Sequence, residues 1–414
     1  MTQPSATIRC AVVPPVAAPY REPLFAALHA GHPELELSVI YQASTQPSWD
    51  APDGFFETDH SYPARHLESW QRARPGRTPI VWPRGLEREL QEANPDAVVA
   101  WEYGPASARA LRWCRSNKRA YVVFTECIPQ TNDLLSVAQL QVHRWIALRA
   151  DGLIAASSAA RDRLLEFGID PERITVALQS ADLDGIRAAA RASDLEGIRH
   201  AVAVSGAEAG SAEARPVRVL TVGRLVPDKN QATLLEAFAQ VLADQSAAAD
   251  PDAKAISELR IVGEGPLEGQ LREVVAKQDL PVVFDGHLER DELARRYAES
   301  DVFALVSSYE PFGVAVREAV AAGLPIICSR RAGAAGDVAI DGRNAILIDP
   351  YPTDCARALA RLLSDAELRG RMAAASHEID EETRGQDIEA FATAVVGAAA
   401  RRGRGQVGPA PASA

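Results

Sequence analysis

Two series of short β-branched runs, each alternating with longer helical patterns, constrain this 414-residue chain more than any other feature. Parallel neighbours need a crossover of a dozen residues or more, so the alternation predicts parallel α/β sheets built from βαβ units. The first series predicts strands at 7–13 (TIRCAVV), 35–41 (LELSVIY), 96–101 (DAVVAW), 120–124 (AYVVF), 153–156 (LIAA) and 173–178 (RITVAL), with helices at 21–30, 104–117 and 135–150. The rhythm then breaks at 185–215, a segment rich in Ala, Gly, Ser and charge that reads as a helix followed by a linker. The second series predicts strands at 217–222 (VRVLTV), 259–262 (LRIV), 282–284 (VVF), 301–306 (DVFALV), 325–328 (PIIC) and 345–348 (AILI), with helices near 231–243, 266–277, 290–299 and 314–322. The expected division is a domain at 1–184, a linker at 185–215, a second domain at 216–400 whose last helices can pack back on the first, and a disordered tail at 401–414.

Length agrees with two domains, because a single core rarely grows beyond roughly 250 to 300 residues. The net charge of −12 and pI near 5.3 argue against nucleic acid as the main partner, since phosphate-backbone binding needs a basic face. Between Arg65 and Arg119 basic residues outnumber acidic ones, which leaves contact with an anionic acceptor or a membrane surface open beside a solvated helix face. No apolar run approaches the roughly 18 to 20 residues of a spanning helix. The first residues, MTQPSATIRCAVVPP, lack a basic segment before a long apolar one, so a soluble, cytoplasmic protein is expected. The five cysteines (Cys10, Cys114, Cys127, Cys328, Cys355) never form C-x-x-C and read as small buried hydrophobes rather than as a zinc site or disulfide framework.

In open α/β sheets ligands bind outside the carboxyl ends of the strands, so the residues after each strand carry the chemistry. After the strand at 217–222 come Gly223, Arg224 and Lys229, two cations near a helix start, suited to a diphosphate. Gly263 and Gly265 in GEGP (263–266) read as a turn, with Pro266 at the first helical position. After the fourth strand stands YEPFGVAVRE (309–318), in which Pro311 and Gly313 leave the amides of Phe312, Gly313 and Val314 free to donate. Glu310 is expected to point into a cleft, with Glu318 eight residues on, about 12 Å along a helix. The two therefore serve opposite ends of one long ligand. A nucleotide sugar is such a ligand, with a ribose diol at one end, a hexose at the other and a diphosphate between.

Taken in order, GRLVPDKN, IVGEGPL, YEPFGVAVRE, EAVAAGLPII and AGAAGDVAIDGRNAILID, spanning about 217–350, resemble family 4 of the retaining glycosyltransferases. The resemblance implies the GT-B architecture, an α/β fold of two Rossmann-like parallel-sheet domains facing across a cleft. It further implies that Arg224 and Lys229 hold the donor diphosphate and that Glu318 binds the ribose diol. Glu310, with the amides of Phe312 and Gly313, would fix the sugar ring. Gly286, His287 and Leu288 would lie against the base, and the loop Gly333 to Gly336 would close near the diphosphate. Transfer of a hexosyl unit to a hydroxyl of a glycan, lipid-linked or small-molecule acceptor would follow, with retention, no metal and no cofactor.

Three departures qualify the pattern. The first turn, PPVAAPYR (14–21), lacks the glycines of many relatives, and proline offers no N–H; Arg21 is the candidate substitute or a surface cap. Asp337 stands where relatives often carry glutamate, and Glu126 where some carry histidine. Glu126 is the N-terminal candidate for orienting the acceptor hydroxyl. Asp182-Leu183-Asp184 matches a metal-binding D-x-D pattern but reads as a chance match in an acidic chain, and His143 reads as a structural histidine. Two alternatives stand beside the transferase: a nucleotide-sugar epimerase of the same architecture and a catalytically silent sugar-nucleotide-binding module.

Overall fold

The computed structural model describes residues 7–45, 56, 59–74, 77–195, 216–248 and 257–404. The expected linker beyond 195 and the tail beyond 404 lie outside the described residues. The chain divides into two compact units, one of residues up to Ala181 and from Gly385 onward, the other Asp182–Arg384.

The first unit is built on a seven-stranded parallel sheet. It contains β1 (Ile8–Val13), α1 (Glu22–Gly31), β2 (Leu35–Tyr41), β3 (Ala64–His66), β4 (Ser69–Arg74), β5 (Arg77–Pro83), α2 (Leu86–Ala93), β6 (Ala97–Trp101), α3 (Pro105–Ser116), β7 (Ala120–Thr125), α4 (Val137–Arg149), β8 (Gly152–Ala155), α5 (Ser158–Glu166) and β9 (Ile174–Val176). Strand order is β3-β2-β1-β6-β7-β8-β9, with β4 and β5 forming a separate antiparallel hairpin that pairs Trp70 with Trp82. Strand β6, AVVAW, is buried throughout, as a parallel strand covered on both faces must be. Its alternate residues feed two cores: Ala97, Val99 and Trp101 join one, Val98 and Ala100 the other.

The second unit contains α6 (Asp184–Leu195), β10 (Val217–Val222), α7 (Gln231–Ala248), β11 (Ser257–Val262), α8 (Glu268–Gln278), β12 (Val282–Gly286), α9 (Arg290–Ala298), β13 (Val302–Leu305), α10 (Val314–Ala321), β14 (Ile326–Ser329), β15 (Ala345–Ile348), α11 (Pro352–Ser364) and α12 (Ala366–Thr383). Its six parallel strands run β12-β11-β10-β13-β14-β15. In both sheets the order reverses beside the first strand, between β1 and β6 and between β10 and β13, which is where such folds leave a crevice for ligands.

One difference from the expected division has a clear cause. Helix α6 belongs to the second unit rather than to a linker, because Arg187 makes twin bonds of 2.8 Å to the buried carboxylate of Asp380 on α12. That pairing holds the Asp380 carboxyl below the usual range even though burial opposes it. The last helix, α13 (Gln386–Arg404), belongs to the first unit, where Phe391, Val395 and Ala398 enter the core against β6 to β8. Helix α8 begins at Glu268, two residues after Pro266, so the proline lies in the turn and not at the first helical position.

Candidate active site

At the carboxyl edge of the second sheet the loops after β10, β11 and β12 are bonded backbone to backbone. Gly223 donates to Val262 (3.0 Å), Leu225 to Glu264 (2.8 Å), Gly263 to Gly286 (2.7 Å) and Leu267 to Leu225 (3.1 Å). A Cβ on Gly263 would meet the Gly223 carbonyl oxygen at 2.2 Å, and one on Gly265 the Leu225 oxygen at 2.5 Å. These glycines permit contact between main chains, which no side chain could allow. The same arrangement forms the turn Gly286, His287, Leu288, where the His287 amide donates to the Glu264 carboxylate at 3.2 Å.

The loop after β10 is also tied to the loop after β13, across the reversal of strand order. Asn230, in a left-handed conformation (φ 57°) just before α7, donates to the carbonyls of Val306 (3.2 Å) and Pro350 (3.3 Å). The Ser308 amide donates to Asp228 at 2.9 Å. Lys229, which closes the short turn Pro227–Lys229, forms an ion pair with Glu310, and Ser307 lies 3.4 Å from the same carboxylate. Glu310 is 7% exposed. Its carboxylate therefore faces Lys229 instead of projecting openly, and the two expected roles, sugar end and diphosphate, converge on one charge pair. Arg224 stands exposed five residues before Lys229.

The stretch 310–313 is itself held by the loop after β14. Glu310 donates to Arg331 (3.2 Å), Gly333 to Glu310 (3.0 Å) and Ala334 to Phe312 (2.8 Å), and a Cβ on Gly333 would sit 2.1 Å from the Pro311 oxygen. Phe312 is buried as the anchor, and Gly313, at φ 99°, turns the chain into α10 with Val314 as its first residue. Among the described residues no backbone bond takes the amides of Phe312, Gly313 or Val314. Glu318, one turn into α10, accepts a 2.7 Å bond from the buried Tyr297 hydroxyl. Burial pushes its carboxyl above the ordinary range, against the lowering effect of that bond.

The first sheet's reversal point is assembled differently. Arg21, ending the proline-rich turn after β1, is 7% exposed, lies 3.4 Å from Glu126 and stacks over Tyr20 (4.8 Å) and Trp101 (5.1 Å). It is an interior cation, not a surface cap. Glu102, next after β6, has a left-handed backbone (φ 57°), unusual for a non-glycine. Its carboxylate accepts from the Glu126 amide (2.6 Å), Thr125 Oγ1 (3.0 Å) and Cys127 Sγ (3.1 Å). Burial, then the neighbouring Glu126 charge, raise its pKa. Beside this group Glu22 accepts from Tyr41 (2.7 Å), His60 (2.8 Å) and Tyr62.

Sequence reasoning brought Gly223, Arg224, Lys229, Glu310 and Glu318 to one sheet edge, but it missed Tyr297, Asn230 and Glu102. Glu102 had a signal: it directly follows a predicted strand, the kind of position already used to select Glu126. Asp182 pairs with Arg290, and Asp184, 93% exposed, pairs with Arg187 at 2.9 Å. His143 stacks on Tyr103 (4.5 Å) beside the buried Arg163, and burial followed by that positive charge lowers its pKa to about 4.

Family models match both halves of the chain. The family model for glycosyl transferases group 1 matches residues 208–378, and that for glycosyltransferase family 4 matches residues 36–184. Glycogen synthase of Mycobacterium tuberculosis is 30% identical over 273 residues, covering 65% of this chain and 59% of that protein. Sulfoquinovosyl transferase SQD2 of Arabidopsis thaliana is 33% identical over 129 residues, 30% of this chain and 25% of its own length. The chain thus spans about a quarter to three fifths of these curated relatives. The crystal structure of Anabaena HepE in complex with UDP-glucose superposes with a TM-score of 0.66 at 18% identity, covering 93% of this chain and 99% of that one. With two parallel-sheet units, both family models and relatives of this kind, the chain belongs to the family 4-like glycosyltransferases of GT-B architecture.

Proposed function

We propose that this chain transfers a hexosyl unit from a nucleotide-diphosphate sugar to a hydroxyl of a glycan, lipid-linked or small-molecule acceptor, with retention at the anomeric carbon and without a metal or other cofactor. The observation that carries this reading is the Lys229–Glu310 pair at the reversal point of the second sheet, with Glu318 eight residues after Glu310 and one turn into α10. In this reading Arg224 and Lys229 neutralise the diphosphate, while Glu310 and the amides of Phe312 to Val314 hold the sugar hydroxyls. Glu318, oriented by Tyr297, accepts from the ribose diol, and the turn at Gly286 to Leu288 borders the base. As the glycosidic bond breaks, its electron pair goes to the diphosphate oxygen, where Arg224 and Lys229 stabilise the growing charge. The acceptor oxygen bonds to the anomeric carbon from the same face, and its proton passes to the leaving phosphate oxygen. Glu126, held by Glu102, orients the acceptor hydroxyl. A cytoplasmic setting, where nucleotide sugars are made, fits this reading.

Incubation with radiolabelled UDP-, GDP-, ADP- and dTDP-sugars tests it. Slow hydrolysis or transfer with a retained anomer, unaffected by EDTA, is the expected result. Conversion of the sugar to its epimer, binding without turnover, or activity lost to EDTA and restored by manganese would each replace it.

A further inference from the structure

Helix α4 has an outer face that its own unit leaves uncovered. Val137 (76% exposed), Val142 (48%), Trp145 (47%) and Leu148 (40%) all stand on it, with Leu134 (50%) just before the helix. The spacing Val137, Gln141, Trp145, Leu148 forms one continuous stripe on the helix surface, while Leu140, Ile146 and Ala147 face the core. A helix that is apolar on both sides, with one side in solvent, signals a surface made to be covered.

The charge around the stripe identifies what covers it. From Leu134 to Ala150 there is no acidic residue, in a chain with a net charge of −12. Arg144 and Arg149, both exposed, lie on opposite flanks of the stripe. Arg149 stacks over Trp145 at 4.4 Å. Arg115 reaches the Arg149 carbonyl (3.4 Å), Arg173 the Leu148 carbonyl (3.2 Å) and Arg401 the Asp151 carbonyl (2.9 Å), which crowds the carboxyl end of α4 with guanidinium groups. The nearest acid beyond the helix, Asp151, is turned to the Tyr121 amide (2.9 Å) and Arg402 (3.8 Å). Aliphatic side chains, a tryptophan and flanking arginines on an acid-free helix match the boundary between acyl chains and anionic headgroups, where indoles settle and guanidinium groups pair with phosphate.

We propose that α4 docks this chain on an anionic lipid surface, lying in the interface with Val137, Val142, Trp145 and Leu148 inserted among the acyl chains. The proposal uses no residue of the candidate active site and stands or falls separately from the transfer reading.

Flotation of the full chain with phosphatidylcholine vesicles, with and without phosphatidylglycerol, tests it. The wild type is expected to float with the anionic vesicles and to release as salt rises from about 0.1 M to about 1 M, where the Debye length shrinks from roughly 10 to 3 Å. Trp145→Ser with Leu148→Ser should lower partitioning about tenfold, given the apolar area withdrawn. Arg144→Glu with Arg149→Glu should abolish the preference for anionic vesicles. Val137→Ser, at the most exposed position, provides a milder variant should the double change unfold, as circular dichroism would report. The proposal is overturned if the wild type does not float, or if folded variants float equally well. It is also overturned if the stripe instead mediates self-association that Trp145→Ser removes.

Discussion

The two sheets of this protein hold their strand-end loops by opposite means. In the second, loops are joined main chain to main chain through Gly223, Gly263, Gly265 and Gly333, and little side-chain volume separates them. In the first, the corresponding loops are joined through interior side chains: Arg21 on Glu126 and Trp101, Glu102 on three donors, and Glu22 on Tyr41, Tyr62 and His60. Even α5 follows this rule, with Arg163 fully buried against Asn132 (2.8 Å), His143 (3.2 Å) and the Phe167 ring (4.6 Å). A backbone-built edge presents the same shape and amides whatever its neighbours. A side-chain-built edge changes with each substitution, and under the proposed function that would suit the unit that matches a particular acceptor.

This contrast can be broken most severely at Gly263. Gly263→Ala forces a Cβ against a backbone oxygen at φ 124° and should destabilise the second unit by roughly 3 to 5 kcal/mol, combining backbone strain with overpacking; chemical denaturation would measure it. Lys229→Met should lower kcat by about 2 to 4 kcal/mol, the loss of one preorganised cation, and should lower Tm by leaving Glu310 buried without its partner. Adding Glu310→Gln should restore Tm but not turnover. Glu102→Gln sharpens the other side: turning an amide donor toward existing donors should cost about 1 to 2 kcal/mol of stability and shift the pH profile of transfer.

Glu318 gives a pH test of smaller size. Its raised pKa means the folded protein holds the proton more tightly than the unfolded chain does. Its contribution to stability is therefore full below the ordinary carboxylate range and is lost as pH rises through the raised value. In the proposed function the ionised Glu318 accepts from the ribose diol, so nucleotide affinity should begin to fall in mild acid, above the usual carboxylate pKa. Glu318→Gln should remove both dependences. Gly104→Ala should do least, within about 0.5 kcal/mol, because nothing lies within 4 Å of the added carbon.

The same contrast explains what the sequence revealed. Strands such as 217–222 and 345–348 agree with their predicted limits, because β-branched and aliphatic residues are bounded there by turn formers, Pro216 and Gly223 for the first and Asn344 and Asp349-Pro350 for the second. The second sheet's edge was legible because backbone packing demands glycine at fixed positions, and fixed positions make motifs. The hairpin of β4 and β5 was not, since its pattern of Trp, Arg and Pro has no clean alternation. The cluster at Glu102 and Arg21 was hidden for another reason: residues from β1, β6 and β7 meet only after the sheet has set its strand order. The Lys229–Glu310 pair was half legible. Both residues were identified, but their contact depends on β10 lying beside β13, which spacing alone does not specify.

Calorimetric titration of UDP, GDP, ADP and dTDP into the wild type, Lys229→Met and Glu318→Ala measures the central claim most directly. The account predicts that one diphosphate binds the wild type and that each substitution weakens it at least tenfold, about 1.4 kcal/mol. Equal affinity in all three proteins, or the absence of binding by any of the four, would contradict it.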